Sequence, residues 1–240
     1  MKTNSFQDLL LLERLNLAYH NKLNPRIFDN RIIRPLVREK LLEIGRAWQK
    51  FSRIGDDQVK DIILTGGNCA FNYTRKSDLD VHIVINKNKF NNDRNLVDLF
   101  FDAKKSQWAS AHNNRVMGYP VELYCQDIAD HLVAAGVYSL LNNRWIIEPH
   151  HEKLSFTNDQ NLLKLIDDYK KEINSLLTNT PTLAKLKAMK ERLKNLRKQG
   201  LENGGEFSLE NLTFKELRNS GFLGRLNDSQ AEIVDKDLSL

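Results

Sequence analysis

The feature that most constrains the fold of this chain is the stretch of residues 64–85 (LTGGNCAFNYTRKSDLDVHIVI), in which a glycine pair is followed by alternating side chains. Residues 79–85 (LDVHIVI) alternate between apolar and polar types, which is the pattern of a strand with one buried face. Residues 59–65 (VKDIILT) form a β-branched run that ends at Gly66 and Gly67. The pattern therefore predicts two strands of one sheet joined by a glycine-containing loop.

A third strand and several helices complete the predicted core. Residues 120–127 (PVELYCQD) alternate in the same way and form the third strand. Apolar side chains recur at steps of three and four at Leu41, Ile44, Trp48 and Phe51, and residues 93–112 and 5–19 are also expected to be helical. A mixed α+β core is therefore predicted for about the first 150 residues.

Residues 155–240 carry apolar stripes at helical spacing and no strand pattern. A threonine–proline pair at 180–181 marks the start of one helix as an N-cap followed by a first-turn proline. That helix is expected to end at Gly200, and a further helix is expected over residues 208–219. The tail after residue 228 is expected to fray. The last third of the chain is thus predicted to be a helical annex.

Composition narrows the class of protein. The 240 residues contain no apolar run of about 18, so no membrane-spanning helix is predicted. The amino terminus lacks the cleavage site of a signal peptide, and Cys69 and Cys125 have no metal-ligand spacing, so we expect a cytoplasmic protein with reduced thiols. The net charge of +5 suits a polyanionic partner such as nucleic acid, and it equally suits a single triphosphate.

Three carboxylates are candidates for metal binding. Asp78 and Asp80 are two residues apart at a strand start and project from the same face, and Glu122 supplies a third carboxylate if the two strands are adjacent. Mg²⁺ prefers such oxygen ligands, and two divalent ions about 3.5–4 Å apart stabilise both ends of a nucleotidyl transfer. An Asp-x-Asp pair alone is more often a solvated surface. Three carboxylates on the polar face of a central sheet are poorly explained by structure alone.

The glycine pair suits a triphosphate. Gly66 and Gly67 expose backbone N–H groups without side-chain obstruction, and a helix beginning near Asn68 would add its dipole. Arg75 and Lys76, in the loop that follows, are placed to meet a phosphate or an acceptor. A solvated basic loop explains these two cations equally well.

These residues resemble the signature of the polymerase-β nucleotidyltransferase superfamily. The resemblance lies in Gly66–Gly67, residues 78–81 (DLDV) and Glu122 within VELY. A closer likeness, to nucleotidyltransferases predicted in large tailed bacteriophages, covers most of the chain and includes residues 23–29 (LNPRIFD), 120–127 (PVELYCQD), 136–145 (GVYSLLNNRW) and 200–212 (GLENGGEFSLENL).

The resemblance implies a small mixed sheet flanked by helices and transfer of NMP from an NTP to an acceptor, and we expect ATP as the donor. It implies dependence on Mg²⁺ or Mn²⁺, with Asp78, Asp80 and Glu122 as the catalytic metal ligands. We accordingly interpret residues 1–154 as the catalytic domain and residues 155–240 as an all-α C-terminal domain.

One departure from the superfamily concerns the second glycine. Many members carry a serine at this position, and its hydroxyl contacts a phosphate, whereas Gly67 offers only its backbone N–H. We therefore expect weaker triphosphate binding, with Asn68 as a partial substitute for the serine.

Residues 136–145, one of the segments that resemble the phage proteins, have two interpretations, and the first is a nucleoside pocket. In it Tyr138, Ser139 and Arg144 contact the nucleotide, and Tyr138 stacks on the base. In the second interpretation the segment is a core turn packed by Trp145. The residues leave the two equally balanced.

The helix over residues 181–198 carries seven cations and one acid, so it could contact the backbone of RNA or a tRNA-like acceptor. A solvated helix face is slightly favoured, because no aromatic side chains interleave with the charges. The acceptor remains open. A non-catalytic nucleotide-binding module and an RNA-binding module are the alternatives to an active enzyme.

Overall fold

The structure is a computed structural model, and it describes residues 18–131, 134–151 and 160–239. These residues group into two compact units, one on either side of the gap after residue 151. Most of the predicted helix over residues 5–19, and the predicted boundary at residue 154, lie outside the described residues.

A mixed sheet forms the centre of the first unit. A short hairpin of β1 (Phe28–Asp29) and β2 (Ile32–Ile33) precedes it. The strands of the sheet are β3 (Val59–Thr65), β4 (Leu79–Ile85), β5 (Arg115–Val116), β6 (Tyr119–Asp127), β7 (Val137–Ser139) and β8 (Arg144–Ile147). Within the described residues the order is β5–β6–β4–β3–β7–β8; β4 and β6 are parallel and the other neighbouring pairs are antiparallel. The predicted α+β core is confirmed.

Helices pack beside this sheet, and they are α1 (Pro35–Phe51), α2 (Lys87–Phe90) and α3 (Arg94–Ala111). Helix α1 starts at Pro35, whose fixed φ suits a first helical turn. Where α1 crosses the sheet, a Cβ on Gly45 would lie 3.4 Å from Ile62 and 3.5 Å from Ile83. The absence of a side chain at this position therefore lets the helix approach β3 and β4 closely.

The buried face of α1 differs in part from the predicted stripe. Leu41 and Trp48 are buried as predicted, together with Val37, whereas Phe51 is 37% exposed. Phe51 is the last residue of the helix, and its ring packs against Trp108 of α3 with the centroids 5.4 Å apart. The difference arises because Phe51 lies at the end of the helix, where the apolar stripe no longer faces the sheet.

The strands that the sequence predicts are observed at or close to their predicted bounds. β3 and β4 match residues 59–65 and 79–85, and β6 begins one residue earlier than predicted, at Tyr119. Helix α3 is one residue shorter at each end than the predicted range of 93–112. Alternation and helical spacing therefore located the elements that surround the candidate site.

The second unit contains α4 (Gln160–Thr178), α5 (Leu183–Gly204), α6 (Leu209–Asn219) and α7 (Phe222–Leu238). These helices bury a shared apolar cluster whose most buried members are Ile173, Leu186, Leu217 and Leu226. Across the described part of the chain, none of the helices combines the length and the apolar character that crossing a membrane requires.

Three predictions about the second unit are wrong. Helix α5 begins at Leu183 with Thr182 as its N-cap, so the predicted start at residues 180–181 lies before the helix. Helix α5 does not end at Gly200 but continues to Gly204. Gly200 is buried, and a Cβ there would lie 2.6 Å from Ser208 Oγ, so this glycine serves close packing rather than helix termination. Residues after 228 do not fray but continue α7, which Leu226 anchors in the apolar cluster.

The end of β6 farthest from Glu122 is fixed by the buried carboxylate of Asp127, which is 2% exposed. Its Oδ2 accepts a hydrogen bond from the backbone N–H of Lys87 and its Oδ1 from that of Ala129, each at 2.7 Å. The Arg94 guanidinium lies 3.1 Å from Oδ2. Burial raises the pKa of Asp127, but these hydrogen bonds and the Arg94 charge outweigh burial and hold the pKa below its ordinary value.

We expect Asp127→Asn to lower the free energy of unfolding by about 2 kcal/mol at neutral pH, as is typical for lost hydrogen bonds to a charged group. Because the folded-state pKa is depressed, the ionised carboxylate stabilises the fold above the pKa of the unfolded chain, and this contribution disappears as the pH falls through the folded-state pKa. In urea titrations the difference between the wild type and the variant should shrink from about pH 5 downwards. A difference independent of pH would contradict this role.

Candidate active site

The three predicted carboxylates lie together at one end of β4 and β6. Asp80 and Glu122 are direct neighbours in the parallel register, and Asp78 lies immediately before β4. One oxygen of each side chain lies within 4.8 Å of the other two, and all three side chains are partly exposed. Parallel pairing places the starting ends of the two strands side by side. The strand adjacency on which the sequence prediction depended is therefore present.

The chemistry of this cluster suits a divalent metal ion. It offers oxygen atoms only, which are the ligands that Mg²⁺ and Mn²⁺ prefer. In the part of the chain that the structure describes, this is the one group of three or more acidic, histidine or cysteine side chains with ligand atoms this close together. A metal ion held by these carboxylates would also offset their mutual repulsion.

Gly66 is required by the geometry of the site. Its φ is 81°, in the left-handed region where residues with a side chain are strained. A Cβ on this residue would lie only 2.0 Å from Oδ2 of Asp80. The backbone of the loop thus approaches the Asp80 carboxylate closely, and glycine is the residue that leaves the carboxylate in place.

Gly67 is not required in the same way. It starts a 3-10 turn, Gly67–Cys69, instead of the longer helix considered near Asn68, so no helix dipole is directed at the site. A Cβ on Gly67 would lie 3.4 Å from Ser77 Oγ and 3.6 Å from Asn72 Oδ1, which are ordinary contacts. The serine that many superfamily members carry would therefore fit at this position.

Asn68 positions the backbone of the site and does not replace the missing serine. Its side chain is fully buried. The Nδ2 group donates to the backbone oxygen of Asp78 at 2.7 Å, and Oδ1 accepts from Asn24 Nδ2 at 2.7 Å. Because the amide is engaged on both sides, the expectation that it contacts a phosphate is wrong. Its hydrogen bonds instead connect Asn24 to the residue that begins the carboxylate cluster.

We expect Asn68→Ala to lower the free energy of unfolding by about 3 kcal/mol, because it leaves the Asn24 amide and the Asp78 carbonyl without their buried partner. Chemical denaturation followed by circular dichroism measures this loss. Asn113 is an exposed asparagine, and Asn113→Ala is the matched control, with an expected change of less than about 0.5 kcal/mol. Equal stabilities of the two variants would show that Asn68 does not fix the loop.

Two side chains that the sequence analysis missed contact the third carboxylate. Tyr124 Oη donates to Glu122 Oε2 at 2.6 Å, and Lys105 Nζ donates to the same oxygen at 3.0 Å. Partial burial raises the pKa of Glu122, but these hydrogen bonds and the Lys105 charge outweigh it and lower the pKa below its ordinary value. Glu122 is therefore ionised at neutral pH and can serve as a metal ligand.

The two missed residues differ in whether a local sequence pattern indicates their position. Tyr124 follows Glu122 by two positions on an alternating strand, so the pattern already puts both on one face. Lys105 lies within α3, 17 residues before Glu122 in the chain, and no local motif marks it. Only the packing of α3 against β6 reveals this contact.

A polar pair continues the same face of the sheet beside the carboxylates. His82 of β4 lies opposite Tyr124 of β6, with the ring centroids 4.6 Å apart, and His82 Nδ1 is 2.7 Å from Gln126 Oε1. Burial lowers the pKa of His82; the hydrogen bond to Gln126 opposes this and the Lys105 charge adds to it. Burial and the hydrogen bond to Glu122 raise the pKa of Tyr124. Both rings are thus neutral at pH 7.

Arg75 and Lys76 are exposed in the loop between the glycine turn and Asp78. The loop is shaped by Thr74, whose N–H donates to Ser77 Oγ at 2.9 Å and whose Oγ1 accepts from the Lys76 N–H at 3.1 Å. Both interpretations of the two cations, a phosphate contact and a solvated loop, are compatible with this position.

Tyr138 and Ser139 lie in the core and not on a pocket wall. Tyr138 is 1% exposed, and its ring packs edge-on against Trp145 with the centroids 4.9 Å apart. Ser139 is also buried and donates to Asp61 at 2.9 Å. Stacking of Tyr138 on a base is therefore incompatible with the structure, and the core-turn interpretation describes this segment. Arg144 is exposed at the start of β8.

Comparisons with known proteins add little to this geometry. No protein-family model matches the chain, and no curated protein matches it. The solved structure of a STING-associated CdnE c-di-GMP synthase from Capnocytophaga granulosa is similar to this chain at 13% identity and a TM-score of 0.22, over 97% of this chain and 89% of that one. A TM-score this low does not demonstrate a shared fold. The carboxylate cluster and its glycine loop are therefore what supports a functional assignment.

Proposed function

We propose that this chain is a metal-dependent nucleotidyltransferase that transfers NMP from an NTP to an acceptor and releases pyrophosphate. The observation that carries the proposal is the convergence of Asp78, Asp80 and Glu122 within 4.8 Å beside a glycine turn that approaches Asp80. In the reaction, a bond forms between an acceptor oxygen and the α-phosphorus as the bond from that phosphorus to pyrophosphate breaks. Mg²⁺ or Mn²⁺ is the cofactor that these oxygen ligands fit.

Each carboxylate has a distinct proposed role. Asp78 and Asp80 would hold two metal ions between them, and Glu122 would complete the site on the acceptor side. When bound, the ions stabilise negative charge on the attacking and leaving oxygens. The N–H groups of the Gly66–Gly67 turn would meet the β- and γ-phosphates, with Arg75 and Lys76 nearby to neutralise the triphosphate.

We place this activity in residues 1–154 and interpret residues 155–240 as a separate helical domain. The basic face of α5 makes RNA or a tRNA-like molecule the first acceptor to test. ATP is the first donor to test. The likeness of the carboxylate and glycine motifs to the polymerase-β superfamily supports this choice of reaction.

Label transfer tests the proposal directly. The full chain is incubated with each α-labelled NTP in turn, with Mg²⁺ or Mn²⁺, and with a bacterial lysate that supplies RNA, protein and small-molecule acceptors. Reactions with EDTA and with Glu122→Gln run in parallel. We expect label to appear in one acceptor fraction only with the wild type and metal, which identifies the acceptor and the preferred base together.

Absence of label distinguishes two cases when it is combined with a measurement of NTP binding. Absence of label from every fraction, combined with absence of Mn²⁺-dependent NTP binding in equilibrium dialysis, would contradict the proposal. Binding of NTP that depends on metal and on Asp80, without transfer to any fraction, would instead identify the non-catalytic nucleotide-binding module.

A further inference from the structure

One oxygen of the third carboxylate is already occupied by the protein itself. Glu122 Oε2 accepts from Tyr124 Oη at 2.6 Å and from Lys105 Nζ at 3.0 Å. A carboxylate oxygen accepts about two such bonds, so this oxygen has no remaining capacity for a metal ion. A metal ion can bind through this oxygen only if one of these two donors leaves, and an ion bound through Oε1 would still lie beside the Lys105 ammonium.

Lys105 is the donor that can leave. Tyr124 is on the same strand as Glu122, two residues away, and its neutral hydroxyl is held close to the carboxylate by the strand itself. Lys105 belongs to α3, and its side chain is 30% exposed. A flexible four-carbon stem carries its ammonium. Its ammonium also lies 3.5 Å from the centroid of the Tyr124 ring, which guides it to this position.

The charge of Lys105 matters as much as its hydrogen bond. The carboxylate cluster concentrates negative charge within 4.8 Å, and the Lys105 ammonium lies at its edge in contact with Glu122. A divalent ion that approached any of the three ligands would be repelled by this ammonium while it stays in place. Lys105 and a metal ion therefore compete for the same cluster.

We infer that Lys105 is the resident counter-cation of the metal-free site, and that metal binding at Glu122 displaces its ammonium. This inference rests on the proposed function in that it takes the three carboxylates as the metal ligands. It follows that the site binds a metal ion weakly by itself and binds it well together with the triphosphate. The nucleotide contributes further oxygen ligands for the metal, and its negative charge offers the released ammonium a new partner.

Mn²⁺ affinity measured without nucleotide tests the inference. Free Mn²⁺ is titrated by electron paramagnetic resonance into the full-length wild type, Lys105→Met and Lys104→Met. Lys104 is the matched control, because it neighbours Lys105 on α3 but lies 4.8 Å from the centroid of the Phe51 ring instead of at the carboxylates. We expect Lys105→Met to bind Mn²⁺ about tenfold more tightly than the wild type, the order expected for removing one partly solvated charge near the ion.

The control and a conservative variant complete the design. Lys104→Met should change Mn²⁺ affinity by less than about twofold, because the Lys104 ammonium lies over the Phe51 ring and makes no contact with Glu122. Lys105→Arg should bind Mn²⁺ as weakly as the wild type, since it retains a cation at Glu122. Circular dichroism of every variant verifies that the fold is intact.

Failure of this inference and failure of the proposed function give different results. Equal Mn²⁺ affinity of Lys105→Met and the wild type, or absence of binding in both, would overturn the counter-cation role whatever the transfer assay shows. Tighter binding by Lys105→Met that Asp80→Ala abolishes would support the role even if no acceptor were ever labelled.

Discussion

Asp80→Ala is expected to reduce nucleotidyl transfer by about a thousandfold, the upper end of what loss of one charge-stabilising group costs an enzyme. Asp80 is the central member of the cluster. It neighbours Glu122 across the parallel pair of strands and Thr65 across the antiparallel pair, so no other carboxylate can take its place. Single-turnover label transfer at saturating metal measures the rate.

The same variant should stay folded. Asp80 belongs to a group of carboxylates that repel one another, and removing one charge relieves part of that repulsion. Thermal unfolding should therefore occur at the wild-type temperature or slightly above it. Asp102→Ala, on the exposed side of α3, is the control for removal of one acid and should retain the wild-type rate. Wild-type transfer by Asp80→Ala would remove the central argument for the site.

Gly66→Ala is expected to damage both the fold and the site. The backbone at this residue, with φ 81° and ψ −169°, lies in a region that is essentially restricted to glycine and costs a side chain about 1–3 kcal/mol. The added methyl group would meet Asp80 Oδ2 at 2.0 Å. The carboxylate must then rotate away from the other two ligands. We expect transfer to fall about a hundredfold, beyond what the loss of stability explains, and Mn²⁺ affinity to fall with it.

Gly67→Ala is the matched control for this prediction. It adds the same methyl group one residue later, where the nearest atom would be Ser77 Oγ at 3.4 Å and where φ is not positive. Stability and Mn²⁺ affinity of Gly67→Ala should stay close to the wild type. If the two alanine variants behaved alike, the close approach of Gly66 to Asp80 would not be the cause.

The sheet could be predicted from the sequence because its strands carry local patterns. Alternation over residues 79–85 has a period that only a half-buried strand explains, and the observed β4 has these bounds. The end of α5 could not be predicted in the same way. Glycine is the residue type that commonly follows the end of a helix, and this suggested a stop at Gly200. Its role is instead decided by the close packing of α5 against Ser208, which depends on tertiary structure.

The residues of the candidate site also fall into those that a local pattern indicates and those that only tertiary contacts reveal. Asp78 and Asp80 were identifiable because residues two apart share a face of a strand, a rule that needs no tertiary information. Glu122 joins them only because β4 and β6 are adjacent. The roles of Asn68 and Tyr138 were not identifiable, since each depends on partners distant in the sequence, Asn24 for the first and Phe28 for the second. Lys105 was missed for that reason as well: its contact with Glu122 exists only once α3 lies on β6.

The hydrogen bonds of Asn68 to Asn24 and to the Asp78 backbone have a consequence for how the molecule opens. Regions joined by buried polar contacts tend to open as one cooperative unit. A local fluctuation that releases Asn24, at the entrance to the β1–β2 hairpin, would remove one hydrogen-bond partner of the Asn68 side chain, which holds the Asp78 backbone. We therefore expect the lifetime of the assembled carboxylate geometry to depend on a turn more than fifty residues before Asp78 in the chain.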